Sequence, residues 1–150
     1  MASKPLRFLS MQACPDKNDS AALYTEDQFH QLLRIEVKRA QRSGRPFLLL
    51  LLNCSSSLER RDRKLEALKR IRRALYCCSR ETDMKGWFKE DAIIGVIFTE
   101  ISRIDDTVRD QILGKAKLTL NQLLGPEEAE KVKMSLLAVP EDRMSCQTEE

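Results

Sequence analysis

The chain has 150 residues, 42% hydrophobic and 33% charged, the composition of an ordinary soluble globular domain with a sizeable core. Its formal net charge of +3 is too small to define a nucleic-acid-binding protein, and a single histidine excludes a His-based metal site or dyad within one chain. Five cysteines without a Cys-x-x-Cys pair read as small buried thiols in a reduced, cytoplasmic chain.

Residues 1–23, with Pro5, Pro15 and a polar stretch at 16–20, read as a flexible leader without a signal-peptide pattern. The most apolar run, residues 47–52, is far short of the roughly 20 residues a bilayer span needs, so no membrane insertion is expected. Thr25 followed by Gln28 makes a capping box, and the helix behind it puts Phe29, Leu32, Leu33, Val37 and Ala40 on one face before Gly44-Arg45-Pro46 stops it. The breakers before residues 47–53 and their short continuous apolar run favour a strand buried on both faces.

Ser55, Ser56 or Ser57 is placed to cap a second helix over residues 58–79, striped by Leu65, Leu68, Ile71, Leu75 and Cys78. A strand at 82–88, a turn at Lys89-Glu90-Asp91 and a strand at 92–99 follow. Adjacent strand positions set one of Trp87 and Phe88 in the core and the other on the opposite face, outward or under a helix or partner. Asp105 or Asp106 caps a third helix with Val108, Ile112, Ala116, Leu120 and Leu123 inward, and Gly125-Pro126 ends it. Residues 132–139 make the last strand, and 141–150 form a flexible acidic tail after a domain spanning 24–140.

Apart from the first helix this order is β-α-β-β-α-β: an α/β class chain, an α+β sandwich with a ferredoxin-like βαββαβ core. The expected sheet order, 4-1-3-2, makes the first and third strands central, and those two are the most apolar. Helices are expected on one face, with the extra N-terminal helix packed at an edge. The first and third strands then run antiparallel, and Asn53 at the end of one lies beside the turn that starts the other.

Residues 80–96 carry Arg80-x-x-Asp83 five residues ahead of that turn, and together with Glu36, Arg39, Ala40 and the Arg42-Ser43-Gly44 step they resemble the GGDEF family of diguanylate cyclases from about residue 25 to 140. The resemblance implies a nucleotidyl-cyclase-like fold. It puts the family's first metal-binding aspartate on Asn53 and its next acidic residue on Ser55. The two glycines of the catalytic turn fall on Lys89 and Glu90, its aspartate on Asp91 and its glutamate on Ala92. With one carboxylate of the set left, the resemblance implies a degenerate, catalytically inactive module with no catalytic residue, metal or cofactor. Asp91 alone reads as a turn residue.

Arg80 and Asp83 match the family's inhibitory site for cyclic di-GMP, where a planar guanidinium makes bidentate contacts. Partners implied by the resemblance are cyclic di-GMP or another guanine nucleotide, a protein, or a second copy of the chain, in bacterial signalling or exopolysaccharide control. The bland alternative is that the pair orders a helix-to-strand junction. Two further readings stay open: a protein-interaction domain without a nucleotide ligand, presenting an apolar patch at Trp87 or Phe88, and a nucleic-acid module using the basic helix 58–79. The helix carries Arg60, Arg61, Arg63, Lys64, Lys69, Arg70, Arg72 and Arg73 but no interleaved aromatics, which weakens the nucleic-acid reading. His30 reads as a helix-surface residue and Cys54 as buried packing.

Overall fold

The computed structural model describes residues 23–59, 61–99, 101 and 104–139. Of the leader expected at 1–23 only Leu23 is described, packed against the core, and the acidic tail expected at 141–150 lies outside the described residues. Helix α1 (Glu26–Ser43) starts at Thr25, whose hydroxyl accepts from the Gln28 amide while the Gln28 side chain accepts from the Thr25 amide, so the capping box forms as expected. It ends at Gly44 with φ 76°, a left-handed position that glycine occupies without a Cβ penalty.

Strand β1 (Phe47–Asn53) leads to a short helix α2 (Ser55–Leu58) and a long α3 (Arg61–Cys78). The expected serine cap is not present. Ser55, Ser56 and Ser57 are themselves helical, and Cys54 stands at the N-cap without a side-chain cap bond. Strands β2 (Met84–Lys89) and β3 (Ile93–Phe98) form the hairpin, and Asp105 caps α4 (Asp106–Leu124) through its carboxylate on the Val108 amide. Pro126 does not only stop α4: it opens a one-turn helix α5 (Pro126–Glu130) before β4 (Lys133–Val139), as proline at the first helical position can.

The sheet order is β2-β3-β1-β4, every neighbouring pair antiparallel, which is the 4-1-3-2 order read from the opposite edge. Period-2 alternation on the two central strands divides the core between two faces. Leu48, Leu50 and Leu52 with Ile94, Val96 and Phe98 pack against Ile71, Ala74 and Leu75 of α3 and Ala116 and Leu120 of α4. Phe47, Leu49 and Ile97 face the other way, against Phe29 and Ala40 of α1. Each such fully buried side chain contributes roughly 1.5–3 kcal/mol relative to exposure.

Helix α1 therefore covers the second face of the sheet rather than sitting at an edge, and the helices are not confined to one face. A β1 that is apolar on both faces requires this, because one uncovered face would expose Phe47, Leu49 and Leu51 to water. The same covering places both rings of the Trp87–Phe88 pair under helices. Trp87 packs into the α3/α4 side and Phe88 into the α1 side, so neither points outward. Leu65 leaves its predicted stripe and is 79% exposed on α3.

The outer edge of β2 is occupied by Tyr24, whose N–H donates to Lys85 O at 3.1 Å and whose carbonyl accepts from the Trp87 N–H at 3.0 Å. At the opposite edge, Arg109 of α4 donates to the carbonyl of Leu136 on β4 at 3.0 Å.

Candidate functional site

The corner expected from topology forms. Asn53 is in register with Ile93, and the Cys54 N–H donates to Ala92 O at 2.8 Å, tying the end of β1 to the start of β3. Asn53 Oδ1 accepts from both the Ser55 amide (3.1 Å) and the Ser55 hydroxyl (2.8 Å), a local turn that occupies the side-chain oxygen.

Across the corner, the Ala92 N–H closes the β2–β3 turn on Lys89 O at 3.0 Å, and Asp91 sits at φ 61°. Asx residues tolerate this left-handed region better than most, which agrees with the turn reading of Asp91. Lys89 and Glu90 are exposed, and Ala92 is half-buried.

Two helices hold this turn from opposite faces of the sheet. From α3, Lys64 Nζ lies 3.2 Å from Asp91 Oδ1. From α1, Glu26 Oε1 accepts from the Glu90 amide at 2.9 Å, and His30 Nε2 lies 2.7 Å from Phe88 O, which requires its ring nitrogen to donate. The His30 ring also stacks at a tilt on Phe88, with centroids 4.8 Å apart. His30 is thus a tether between α1 and the hairpin rather than a plain surface residue. Sequence reasoning missed this role, since nothing in a helix pattern names a partner 58 residues away. Among the described residues, no group of three or more His, Cys, Asp or Glu side chains is arranged to hold a metal.

At the other end of β2 the Arg80-x-x-Asp83 segment is a tight turn, with the Asp83 N–H donating to Arg80 O at 3.0 Å. Asp83 is 3% exposed. One carboxylate oxygen accepts from the Arg80 main-chain N–H at 2.9 Å and the other from the Thr99 N–H at 3.2 Å. Asp83 therefore joins the α3–β2 junction to the end of β3, while Arg80 is exposed.

Beside them Lys85, 4% exposed, donates from Nζ to Arg80 O (2.9 Å) and Asp83 O (2.6 Å) and lies 4.7 Å over the Tyr76 ring. Burial pulls its ammonium below the usual lysine range, opposed by the nearby Asp83 carboxylate. Nothing in the sequence reading singled out Lys85.

Cys54 is fully buried and its thiol bonds Leu52 O at 3.4 Å; burial pushes its pKa up to about 12, so no thiolate nucleophile forms there near neutrality. Cys78 is likewise pushed up by burial, to about 11. Both are free thiols.

The basic helix α3 is partly neutralised: Lys64 pairs with Asp91, and Arg70 pairs with Glu66 at 2.9 Å. A cavity of about 380 Å³ lies between α3 and the α4–α5 end, lined by Ser57, Arg63, Glu66, Arg70, Glu128 and Lys131. Arg70 with Glu66, and Lys131 with Glu128 at 3.3 Å, form local pairs on its wall, and the buried Ser57 hydroxyl has no hydrogen-bond partner among the described residues.

A four-stranded antiparallel sheet in this order, with α1 on one face and α3 and α4 on the other, is a diguanylate-cyclase-like (GGDEF-like) fold. The chain is similar to a DGC protein from Thermotoga maritima, with a TM-score of 0.62 and 19% identity over 85% of this chain and 89% of that one. It is also similar to the diguanylate cyclase SiaD from Pseudomonas aeruginosa, whose structure is in complex with its activator SiaC; there the TM-score is 0.58 with 18% identity over 98% of this chain. The match spans 60% of the SiaD chain. At these identities the likeness is one of fold. No family model and no curated protein matches the sequence.

Proposed function

We propose that the chain is a catalytically inactive cyclase-fold module that regulates by docking to a protein in the cytoplasm of a bacterium, in cyclic-dinucleotide signalling or exopolysaccharide control. The observation that carries this reading is the state of the corner. The donor set does not fit a pair of Mg²⁺ ions, which need several oxygen ligands and concentrated negative charge. Asn53 is a neutral amide whose oxygen is already used by Ser55, Ala92 has no donor, and Asp91 is paired with the Lys64 ammonium. Support for a protein partner comes from SiaD, a similar fold in complex with its activator. No helix among the described residues is long and apolar enough to cross a membrane.

Incubation with GTP and Mg²⁺ or Mn²⁺, followed by chromatography of the nucleotides, tests the inactivity. No cyclic di-GMP above a protein-free control is expected, and any such product sinks the reading.

The Arg80–Asp83 pair is read here as a structural turn rather than a receptor for cyclic di-GMP, because both Asp83 oxygens serve main-chain amides. Calorimetric titration with cyclic di-GMP is expected to give no heat at high micromolar ligand. A saturable signal abolished by Arg80→Ala would restore the receptor role. Docking of nucleic acid on α3 is disfavoured by the pairing of Lys64 and Arg70, and salt-dependent binding to single-stranded oligonucleotides would overturn that judgement.

A further inference from the structure

Lys85 presents an arrangement that the fold alone does not require. An ammonium has three donors and no acceptor. Here two donors go to the main-chain carbonyls of Arg80 and Asp83, and the charge lies over the face of Tyr76. Carbonyl oxygens converging with an aromatic face are what a site for a small ammonium-type cation offers. The carbonyls belong to the two ends of the Arg80–Asp83 turn, just beyond the C-terminus of α3, where the helix dipole also favours a cation.

We propose that Lys85 is a built-in, tethered cation that occupies an ammonium site formed by Arg80 O, Asp83 O and the Tyr76 ring, and that it latches the turn shut from inside. With both carbonyls held inward on the ammonium, the Asp83 side chain is left facing the amides of Arg80 and Thr99. The closed turn needs no bound ligand, because the chain supplies the occupant. Lys85 acts here as a positioning residue for Asp83, and this role does not depend on whether the Asn53–Asp91 corner is active.

Nitrogen NMR of the lysine ammonium groups in the wild-type chain is the first measurement. A buried Lys85 ammonium held by two carbonyls and an aromatic face should exchange its protons slowly enough to be seen at neutral pH. A Lys85 group exchanging as fast as exposed Lys89 or Lys133 overturns the proposal. The second is amide exchange in Lys85→Ala. The Asp83 and Thr99 amides should open at least about tenfold faster, while amides in the middle of β1 keep their protection. Added n-propylammonium should restore the protection, whereas sodium chloride of equal ionic strength should not. No acceleration, or acceleration that propylammonium fails to reverse, rejects the tethered-cation site. Should Lys85→Ala not fold, Lys85→Met takes its place for the exchange measurement, and the wild-type ammonium signal decides independently.

Discussion

Phe29 on α1 lies in the space that a side chain on Gly95 of β3 would occupy: a Cβ there would stand 2.7 Å from Phe29 Cζ. Gly86, paired with Gly95 across the hairpin, would place its Cβ 2.8 Å from the same ring. Two facing glycines therefore make the seat on which α1 docks. Gly95→Ala should destabilise the fold by about 1–3 kcal/mol, as overpacking a filled core does. Gly114→Ala, on an open stretch of α4 with nothing within 4 Å of the added Cβ, should stabilise it by about 0.5–1 kcal/mol. Urea unfolding of both variants checks the pair, and equal effects would contradict the docking seat.

Removal of the Asp83 carboxylate should strand two partly buried amides. Asp83→Ala is expected to lower stability by about 2–3 kcal/mol. Asp83→Asn keeps one acceptor oxygen and should cost less. The readout is the midpoint of chemical denaturation at constant slope; an Asp83→Ala variant as stable as the wild type would mean that the carboxylate does not hold the junction.

Alkali should weaken the fold through the buried thiols of Cys54 and Cys78. Burial raises Cys54 to about 12 and Cys78 to about 11 from an ordinary 9.0, so the folded chain keeps protons that the unfolded chain releases. Their stabilisation is complete below pH 9 and is lost as pH rises through 11 to 12. Lys85 works in the opposite sense, its lowered pKa favouring the fold as pH approaches the ordinary lysine value. Denaturation midpoints from pH 8 to 11 should fall above pH 9 in the wild type, with a shallower decline in Cys54→Ala. Cys54 should also resist alkylation in the native state at pH 8.

Asp91 combines a left-handed backbone with an exposed ion pair. Such a pair contributes about 0–1 kcal/mol, and a left-handed non-glycine residue costs roughly 1–2 kcal/mol. Asp91→Gly should therefore be close to neutral, whereas Asp91→Val should lose about 1–2 kcal/mol because a β-branched side chain fits this conformation worst. Thermal unfolding of the two variants separates backbone strain from charge; a larger loss in the glycine variant would show that the Lys64 pair dominates.

Element order was legible because caps and breakers in this chain carry their own chemistry: Thr25–Gln28, Gly44, Asp105 and Gly125 each sit within a residue or so of a true boundary. The sheet order was legible because two strands are much more apolar than the others. The location of α1 was not, since an amphipathic stripe states which face of a helix is buried and not what buries it. Gly86 and Gly95 were the available clue, two strand glycines where a ring could approach. Leu65 misled because helical spacing cannot tell where a packed face ends.

The corner was readable by position, Asn53 beside the turn, because antiparallel neighbours in this strand order bring the end of β1 to the start of β3. Its tethers were not, since Lys64, Glu26 and His30 reach it from distant elements. Lys85 escaped notice for a related reason: lysine in a strand reads as a solvent position, and only the end of α3, with Tyr76 and the turn carbonyls, turns that position inward.

Tyr24 and Arg109 have a joint consequence for how the chain meets other chains. Exposed sheet edges invite strand addition, domain exchange and fibril growth. On β2, Tyr24 already consumes the Lys85 carbonyl and the Trp87 amide; on β4, the Arg109 guanidinium caps the Leu136 carbonyl. A newcomer strand along β2 would first have to displace Tyr24, and one along β4 would compete with Arg109 for the Leu136 carbonyl. Association is thereby steered away from the open-ended geometry of edge-to-edge stacking and toward closed contacts made by side chains on the helical faces.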